Sequence, residues 1–152
     1  MGKVISTSQI SKELGSHRAQ KIVFTNGCFD LLHVGHVRYL QEAKACGDYL
    51  VVGVNSDSSV QILKGPARPI QNQNDRAEIL AALASVDCVV IFDEETPEKL
   101  IHQLKPDVLV KGGDWKPEQI IGGSFVLSYG GQVRSLQFVD GKSTTKLIEK
   151  SR

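Results

Sequence analysis

Two histidines, His33 and His36, bracket Gly35 in the stretch TNGCFDLLHVGHVRYL, where the apolar run KIVFT gives way to a helical pattern. Paired imidazoles can hold a metal ion, pass a proton or clamp a phosphate. If the helix starts near Val34, His33 sits at its cap and His36 in its first turn. Both rings then lie beside unpaired N–H groups and the positive end of the helix dipole. That surrounding favours an anion, above all a phosphate. It disfavours a metal cation, and apart from Asp30 no carboxylate or cysteine completes a ligand set nearby. Gly27 permits a close turn off the strand, and Gly35 lets backbone approach a ligand without a Cβ in the way. Phosphate binding is therefore the expected role of the pair, against that of ordinary capping histidines.

Other polar residues follow strand ends. VVGVNSD closes a second apolar run with Asn55, Ser56 and Asp57. Beyond it, Lys64 in LKGPARP has little reason to be buried and by itself reads as a solvated lysine, with Arg68 shortly after it. Arg76, in the first turn of NDRAEIL, by itself reads as half of a surface ion pair. LVKGGDW leaves a further strand. Its paired glycines, Gly112 and Gly113, imply a close approach by ligand or backbone, Lys111 could meet a phosphate and Asp114 a sugar hydroxyl. Trp115, the single tryptophan, flanks a ligand or packs. Ser143, Thr144 and Thr145 exceed the one hydroxyl a helix cap needs and suit a second phosphate-binding terminus.

The elements that must position these groups alternate. Lys21–Thr25, Tyr49–Val54, Cys88–Phe92, Asp107–Lys111 and Val133–Phe138 read as five strands, near-continuous in hydrophobicity as strands covered on both faces are. Helical patterns separate them. Val37, Leu40 and Ala43 share a face of the first; Ile79, Leu80 and Leu83 share a face of another, capped by Asn74 or Asp75. Thr96 as cap and Pro97 at the first helical position start a third helix, and Gly130-Gly131 ends one within 123–129. A last helix follows Ser143, and an early one, about Ser8–Leu14, covers the N-terminal side. Ser56–Gln73 has no clear period and is expected as a long functional loop. Alternating β and α predicts a doubly wound α/β fold, a five-stranded parallel sheet of order 3-2-1-4-5 with helices on both faces, binding ligand at the strands' carboxyl ends.

The chain's 152 residues suit one core, and 41% hydrophobic with 23% charged residues is ordinary for a globular protein. Lys plus Arg number 18 against 17 for Asp plus Glu, which leaves no electrostatic footprint for nucleic acid or an anionic membrane. No apolar run approaches a membrane span and no secretory leader opens the chain; MGKVIS fits a myristoylation pattern by chance. Cys28, Cys46 and Cys88, odd in number and far apart, argue against disulfides and zinc and suit a reducing cytoplasm.

The stretch GCFDLLHVGHVRYL resembles the HxGH signature of the nucleotidyltransferase superfamily, the cytidylyltransferase-like enzymes. These transfer a nucleoside monophosphate to a phosphorylated small molecule and release pyrophosphate. The resemblance implies a single nucleotidyltransferase domain over 21–152 behind a helical extension, 1–20. It implies that His33, His36 and Lys64 stabilise charge on the reacting phosphates, with Arg68 a weaker candidate for the task of Lys64. ATP would be held by Asn26, Gly27, Cys28, Phe29, Asp30 and Gly35 of the signature. Arg76, Lys111, Gly112 and Asp114 would join them, as would Ser143, Thr144 and Thr145 of a segment similar to R-T-x-G-x-S-T-T. Asn55, Asp57, Arg68 and Trp115 would face the second substrate. Phe138 replaces the motif's arginine, which marks the cytidylyl branch. With KGGDW, this looks like the adenylyltransferase branch that makes ADP-heptose, here without the sugar kinase often fused to it and so expected as the stand-alone version. The implied partners are ATP, with Mg²⁺, and a sugar 1-phosphate; relatives are often dimers, so a homodimer is an open expectation. A glycerol 3-phosphate cytidylyltransferase and a non-catalytic nucleotide-binding module are the alternatives. A Rossmann dehydrogenase is set aside for want of G-x-G-x-x-G spacing.

Overall fold

Each apolar run forms a strand, and the computed structural model, describing residues 1–137 and 144–151, shows how they join. In chain order the elements are β1 (Lys3–Ile5), α1 (Ile10–Gly15), β2 (Ile22–Gly27), α2 (Val34–Ala45), β3 (Tyr49–Asn55), α3 (Asp57–Lys64) and α4 (Gln73–Ala81). There follow β4 (Cys88–Phe92), α5 (Glu98–Leu104), β5 (Val108–Gly112), α6 (Gly123–Ser128), β6 (Gln132–Leu136) and α7 (Thr144–Ser151). The described strands pair in parallel, in the order β1-β4-β3-β2-β5-β6.

The expected strands keep their relative order, but the sheet has six strands rather than five. The addition is β1, from the segment expected to be purely helical; its Lys3–Ile5 pair with Cys88–Val90. At three residues, two of them exposed, it is too short and too polar to show a period. Behind it a 3₁₀ turn over Thr7–Gln9 leads into α1.

Successive strand residues face opposite ways. In β2, Ile22 and Phe24 face one layer, packed with Leu14 of α1, Ile101 of α5 and Val126 of α6. Val23 faces the other, with Leu40 of α2 and Ala77 and Leu80 of α4.

Three local expectations change. Ser56–Gln73 is not all loop, because α3 occupies its first half, with the Ser56 side chain accepting from the Ser59 amide. Only Ser59 and Val60 of that helix are buried, so no apolar stripe advertises it. The cap of α4 is Asn72, which accepts from the Asp75 amide, not Asn74 or Asp75; Ile79 turns outward while Ala77 takes the core position. Pro97 itself is the cap of α5, with no side-chain bond, so Thr96 is released from capping. The expected fifth strand ends at Leu136, and Phe138 lies outside the described residues.

From β2 the chain winds through β3 to β4, then returns to place β5 on the other side of β2. Loops leaving β2 and β5 therefore diverge, opening a crevice at their carboxyl ends. Among the described residues no helix is long and apolar enough to cross a membrane.

Candidate functional site

A cleft of about 650 Å³ lies over the carboxyl ends of β2, β3, β4 and β5, reached by Gly27, Asn55, Glu95 and Lys111. One wall is the start of α2. His33 is its cap in extended backbone (φ −132°, ψ 175°), and its Nδ1 accepts from the Gly35 amide at 3.1 Å. In return the His33 amide donates to Nδ1 of His36 over a long 3.4 Å. Because each Nδ1 accepts, each neutral ring carries its proton on Nε2. The rings stack at 3.9 Å with an interplanar angle of 28°. Burial first, and then the neighbouring His33, push the His36 pKa down from 6.5 to about 4. His36 is thus an uncharged donor at neutral pH, set among the α2 N–H groups.

Gly27 and Phe29 shape the turn before it. Phe29 takes a left-handed conformation (φ 48°) that puts its ring against the edge of His36 at 5.4 Å. A Cβ on Gly27 would stand 3.0 Å from that ring, so glycine is the residue that lets it fold back. Beneath, Tyr39 and Thr25 share a buried hydroxyl pair at 2.6 Å.

Asp30 is buried and turned toward the loop after α3. It accepts from Arg68 Nε at 2.7 Å and from the amides of Ile70 and Gln71 at 2.8 and 3.0 Å. Burial alone would raise its pKa, but the Gln71, Ile70 and Arg68 bonds prevail and hold it below the usual carboxylate range. That loop starts at Lys64, exposed on the cleft rim, where Gly65 (φ 101°) ends α3.

Arg76 departs from expectation. It is 1% exposed and does not line the cleft. Its Nη1 donates to the carbonyls of Cys28 (2.7 Å) and Asn55 (2.8 Å), its Nε to Gln71 O (3.0 Å) and its Nη2 to Asp57 (2.8 Å). It therefore braces the cleft floor from below, and Asp57 is drawn away with it. The reason is tertiary: two strand-end carbonyls point at one place and need donors there.

Across the cleft, Lys111 lies one residue before the end of β5, with Nζ 5.7 Å from the centre of the Trp115 ring. The indole donates to Gly112 O at 3.1 Å, and a Cβ on Gly113 (φ 110°) would come within 2.8 Å of its Nε1. The close approach at Gly113 is thus made by the Trp115 side chain, not by the ligand or backbone expected from the paired glycines.

The structure brings His33, His36 and Lys64 together with Asn26 and the Gly27–Asp30 turn. On the facing and flanking walls it adds Asn55, Arg68, Lys111, Gly112 and Trp115. Gly35 acts from behind, through its amide, and Asp114 points outside the cleft, among the described residues. Ser143 lies outside the described residues; Thr144 and Thr145 open α7, whose Leu147 borders a groove shared with Phe29 and Asp30. Sequence reasoning missed Tyr39, Leu63, Glu95, Thr96, Pro97 and Ile121, all on the lining. For Glu95 and Thr96 a signal existed: they leave the carboxyl end of a parallel strand.

Residues 24–150 match the Cytidylyltransferase-like family model. The chain is 63% identical over 135 residues to the bifunctional protein HldE of Geotalea uraniireducens, covering 89% of this chain and 28% of that protein. Against the bifunctional protein HldE of Geobacter sulfurreducens identity is 54% over 150 residues, covering 97% and 31%. The chain thus spans under a third of the length of these curated relatives. Among solved structures it is similar to the lipopolysaccharide core biosynthesis protein of Thermoplasma volcanium, with a TM-score of 0.65 and 31% identity over 81% of this chain and 99% of that one. A pantoate–β-alanine ligase from Francisella tularensis, with a TM-score of 0.60 and 16% identity over 90% of this chain and 67% of that one, shares the fold alone.

Proposed function

Because the chain belongs to the cytidylyltransferase-like family of nucleotidyltransferases, we propose that it transfers AMP from ATP to D-glycero-D-manno-heptose 1-phosphate, giving ADP-heptose and pyrophosphate. The observation that carries nucleotidyl transfer is the stacked histidine pair at the α2 N-terminus, beside the cleft. The sugar is chosen by the KGGDW and STT segments, which resemble the ADP-heptose branch. Similarity to a lipopolysaccharide core biosynthesis protein supports the same choice.

In the proposed reaction an oxygen of the sugar 1-phosphate attacks the α-phosphorus of ATP in line. A new P–O bond forms as the bond from that phosphorus to the bridging oxygen breaks, and pyrophosphate leaves with the electron pair. A phosphate oxygen is already ionised at neutral pH, so no side chain need remove a proton. What remains is positioning and stabilisation of charge. His33 and His36 donate from Nε2 to phosphate oxygens, and Lys64 reaches the α-phosphate from the rim. Lys111 meets a further phosphate from the β5 side. The described residues gather no group of three metal-ligating side chains; Mg²⁺ is proposed to arrive with ATP, held by its phosphates and water, where it would neutralise phosphate charge. The free thiols of Cys28, Cys46 and Cys88 support a cytoplasmic setting.

The test is pyrophosphate release in the presence of Mg²⁺, crossing ATP, CTP and GTP with heptose 1-phosphate and glycerol 3-phosphate. Fast release is expected only with ATP and heptose 1-phosphate. Release with CTP and glycerol 3-phosphate instead would overturn the choice of branch.

A further inference from the structure

The wall of the cleft between β3 and β4 has no part in the phosphate chemistry above. Asn55 closes β3 there, 3% exposed, and its Nδ2 has no hydrogen-bond partner among the described residues. The orientation of the amide follows from Cys28, whose Sγ donates to Oδ1 at 3.9 Å and leaves Nδ2 as the unmatched end. The backbone is pinned as well. Arg76 donates to Asn55 O at 2.8 Å, and the Ser56 amide donates to Phe92 O at 2.9 Å. A buried donor left unpaired costs about 1–3 kcal/mol. On the lining of a cleft, a ligand oxygen is the partner that removes the penalty.

The loop leaving β4 brings Glu95 and Thr96, both exposed, to the same cleft. Glu94 beside them pairs with Lys99 at 3.9 Å, whereas no cation among the described residues engages Glu95. A carboxylate on this wall repels phosphate groups but accepts from hydroxyls. A fixed amide donor, a hydroxyl and a carboxylate acceptor together match a group that both donates and accepts, namely the vicinal hydroxyls of a sugar.

We propose that Asn55 and Glu95 form the acceptor-sugar subsite, Asn55 Nδ2 donating to a sugar oxygen and Glu95 accepting from sugar hydroxyls carried beyond the third carbon, so that the pair selects a sugar over a three-carbon polyol. This rests on the sugar-phosphate acceptor proposed above; to Asn55, which the resemblance already turned toward the second substrate, it adds the donating atom and the partner carboxylate of Glu95. Thr96, freed from capping α5, flanks the pair.

Calorimetric titration of heptose 1-phosphate, glycerol 3-phosphate and ATP into the full chain and its Asn55→Ala and Glu95→Gln variants tests it. Each variant should weaken heptose 1-phosphate about tenfold or more, as loss of a charged or buried hydrogen bond does, and leave glycerol 3-phosphate and ATP within about twofold. Glu95 is exposed, so Glu95→Gln keeps the test open if Asn55→Ala fails to fold. Unchanged heptose 1-phosphate affinity in Glu95→Gln, equal loss of ATP affinity, or no binding of heptose 1-phosphate to the unaltered chain would each overturn the subsite. Pyrophosphate release measured in parallel separates the two readings. Binding that depends on both residues without transfer keeps the subsite and removes the adenylyl-transfer reading. Transfer with variants that bind normally does the reverse.

Discussion

Arg68 donates through Nε to Asp30 at 2.7 Å, across 38 residues of chain. With the Ile70 and Gln71 amides on the same carboxylate, the segment that carries His33 and His36 and the loop that follows Lys64 become one unit. The histidines and the lysine can then hold a fixed spacing although they belong to different elements.

Asp30→Asn tests that coupling, because it keeps the shape but sets an amide N–H₂ among donors. Removing one partner of a buried pair costs about 3–5 kcal/mol, so a large fall in Tm is expected, with turnover reduced as Lys64 loses its fixed position. The pH dependence has a definite sign. The folded pKa lies below the ordinary 3.8, so the stabilisation is complete above that value and is lost as pH falls through the lower folded one. Acid titration followed by circular dichroism should show a shallower loss of stability below pH 3.8 in Asp30→Asn than in the unaltered chain. Identical acid limbs would remove Asp30 from the account.

His36 is also shifted downward, which for a base favours the neutral form. An unfolded histidine takes its proton near 6.5, the folded one only near 4. Stability is therefore complete above 6.5 and declines as pH falls toward 4. An anion beside the ring favours the protonated form, so ATP should raise the midpoint. NMR titration of the ring C2–H resonances should place one histidine near 4 in the free protein and move it upward with ATP. A ring titrating near 6.5 and indifferent to ATP would have no place at the phosphates.

Alanine at either histidine should lower kcat by about 10²–10³, the usual loss for one charge-stabilising donor, with the far-UV spectrum unchanged. The two differ in stability. His33→Ala also removes a cap that accepts from the Gly35 amide, at about 0.5–2 kcal/mol, whereas the His36 bond to the His33 amide is long and adds little. Near-normal turnover in both variants would overturn the catalytic assignment.

What could be read from the sequence was local. His33 and His36 were legible because strand, turn and helix start lie within one short stretch, and helix-end physics needs no distant partner. Arg76 was not. Its role depends on carbonyls 48 and 21 residues away, at Cys28 and Asn55, which nothing in NDRAEIL announces. The helix α3 escaped notice because its apolar residues Ile62 and Leu63 face outward, and Leu63 faces the cleft. The strand β1 escaped because an edge of three residues carries no alternation. Glu95 and Thr96 carry no signature by type; only their place past a parallel strand's carboxyl end marks them.

Lys64 and Arg76, both expected to contact ATP, should now behave in opposite ways. Lys64 is an exposed side chain at the end of α3. Lys64→Ala should shift stability by no more than about 0.5 kcal/mol, as surface substitutions do, while kcat falls by about 10²-fold or more. Arg76→Ala would leave the Cys28, Asn55 and Gln71 carbonyls without this donor, at about 1–3 kcal/mol for each that stays buried, and would leave the partly exposed Asp57 carboxylate unpaired. Arg76→Lys should rescue little, since an ammonium cannot span four acceptors held in the plane of a guanidinium. Urea unfolding read beside pyrophosphate release separates the two. A low denaturation midpoint for Arg76→Ala, with nucleotide affinity preserved in whatever fraction stays folded, is expected. A stable Arg76→Ala with a weakened ATP affinity would return the arginine to the cleft.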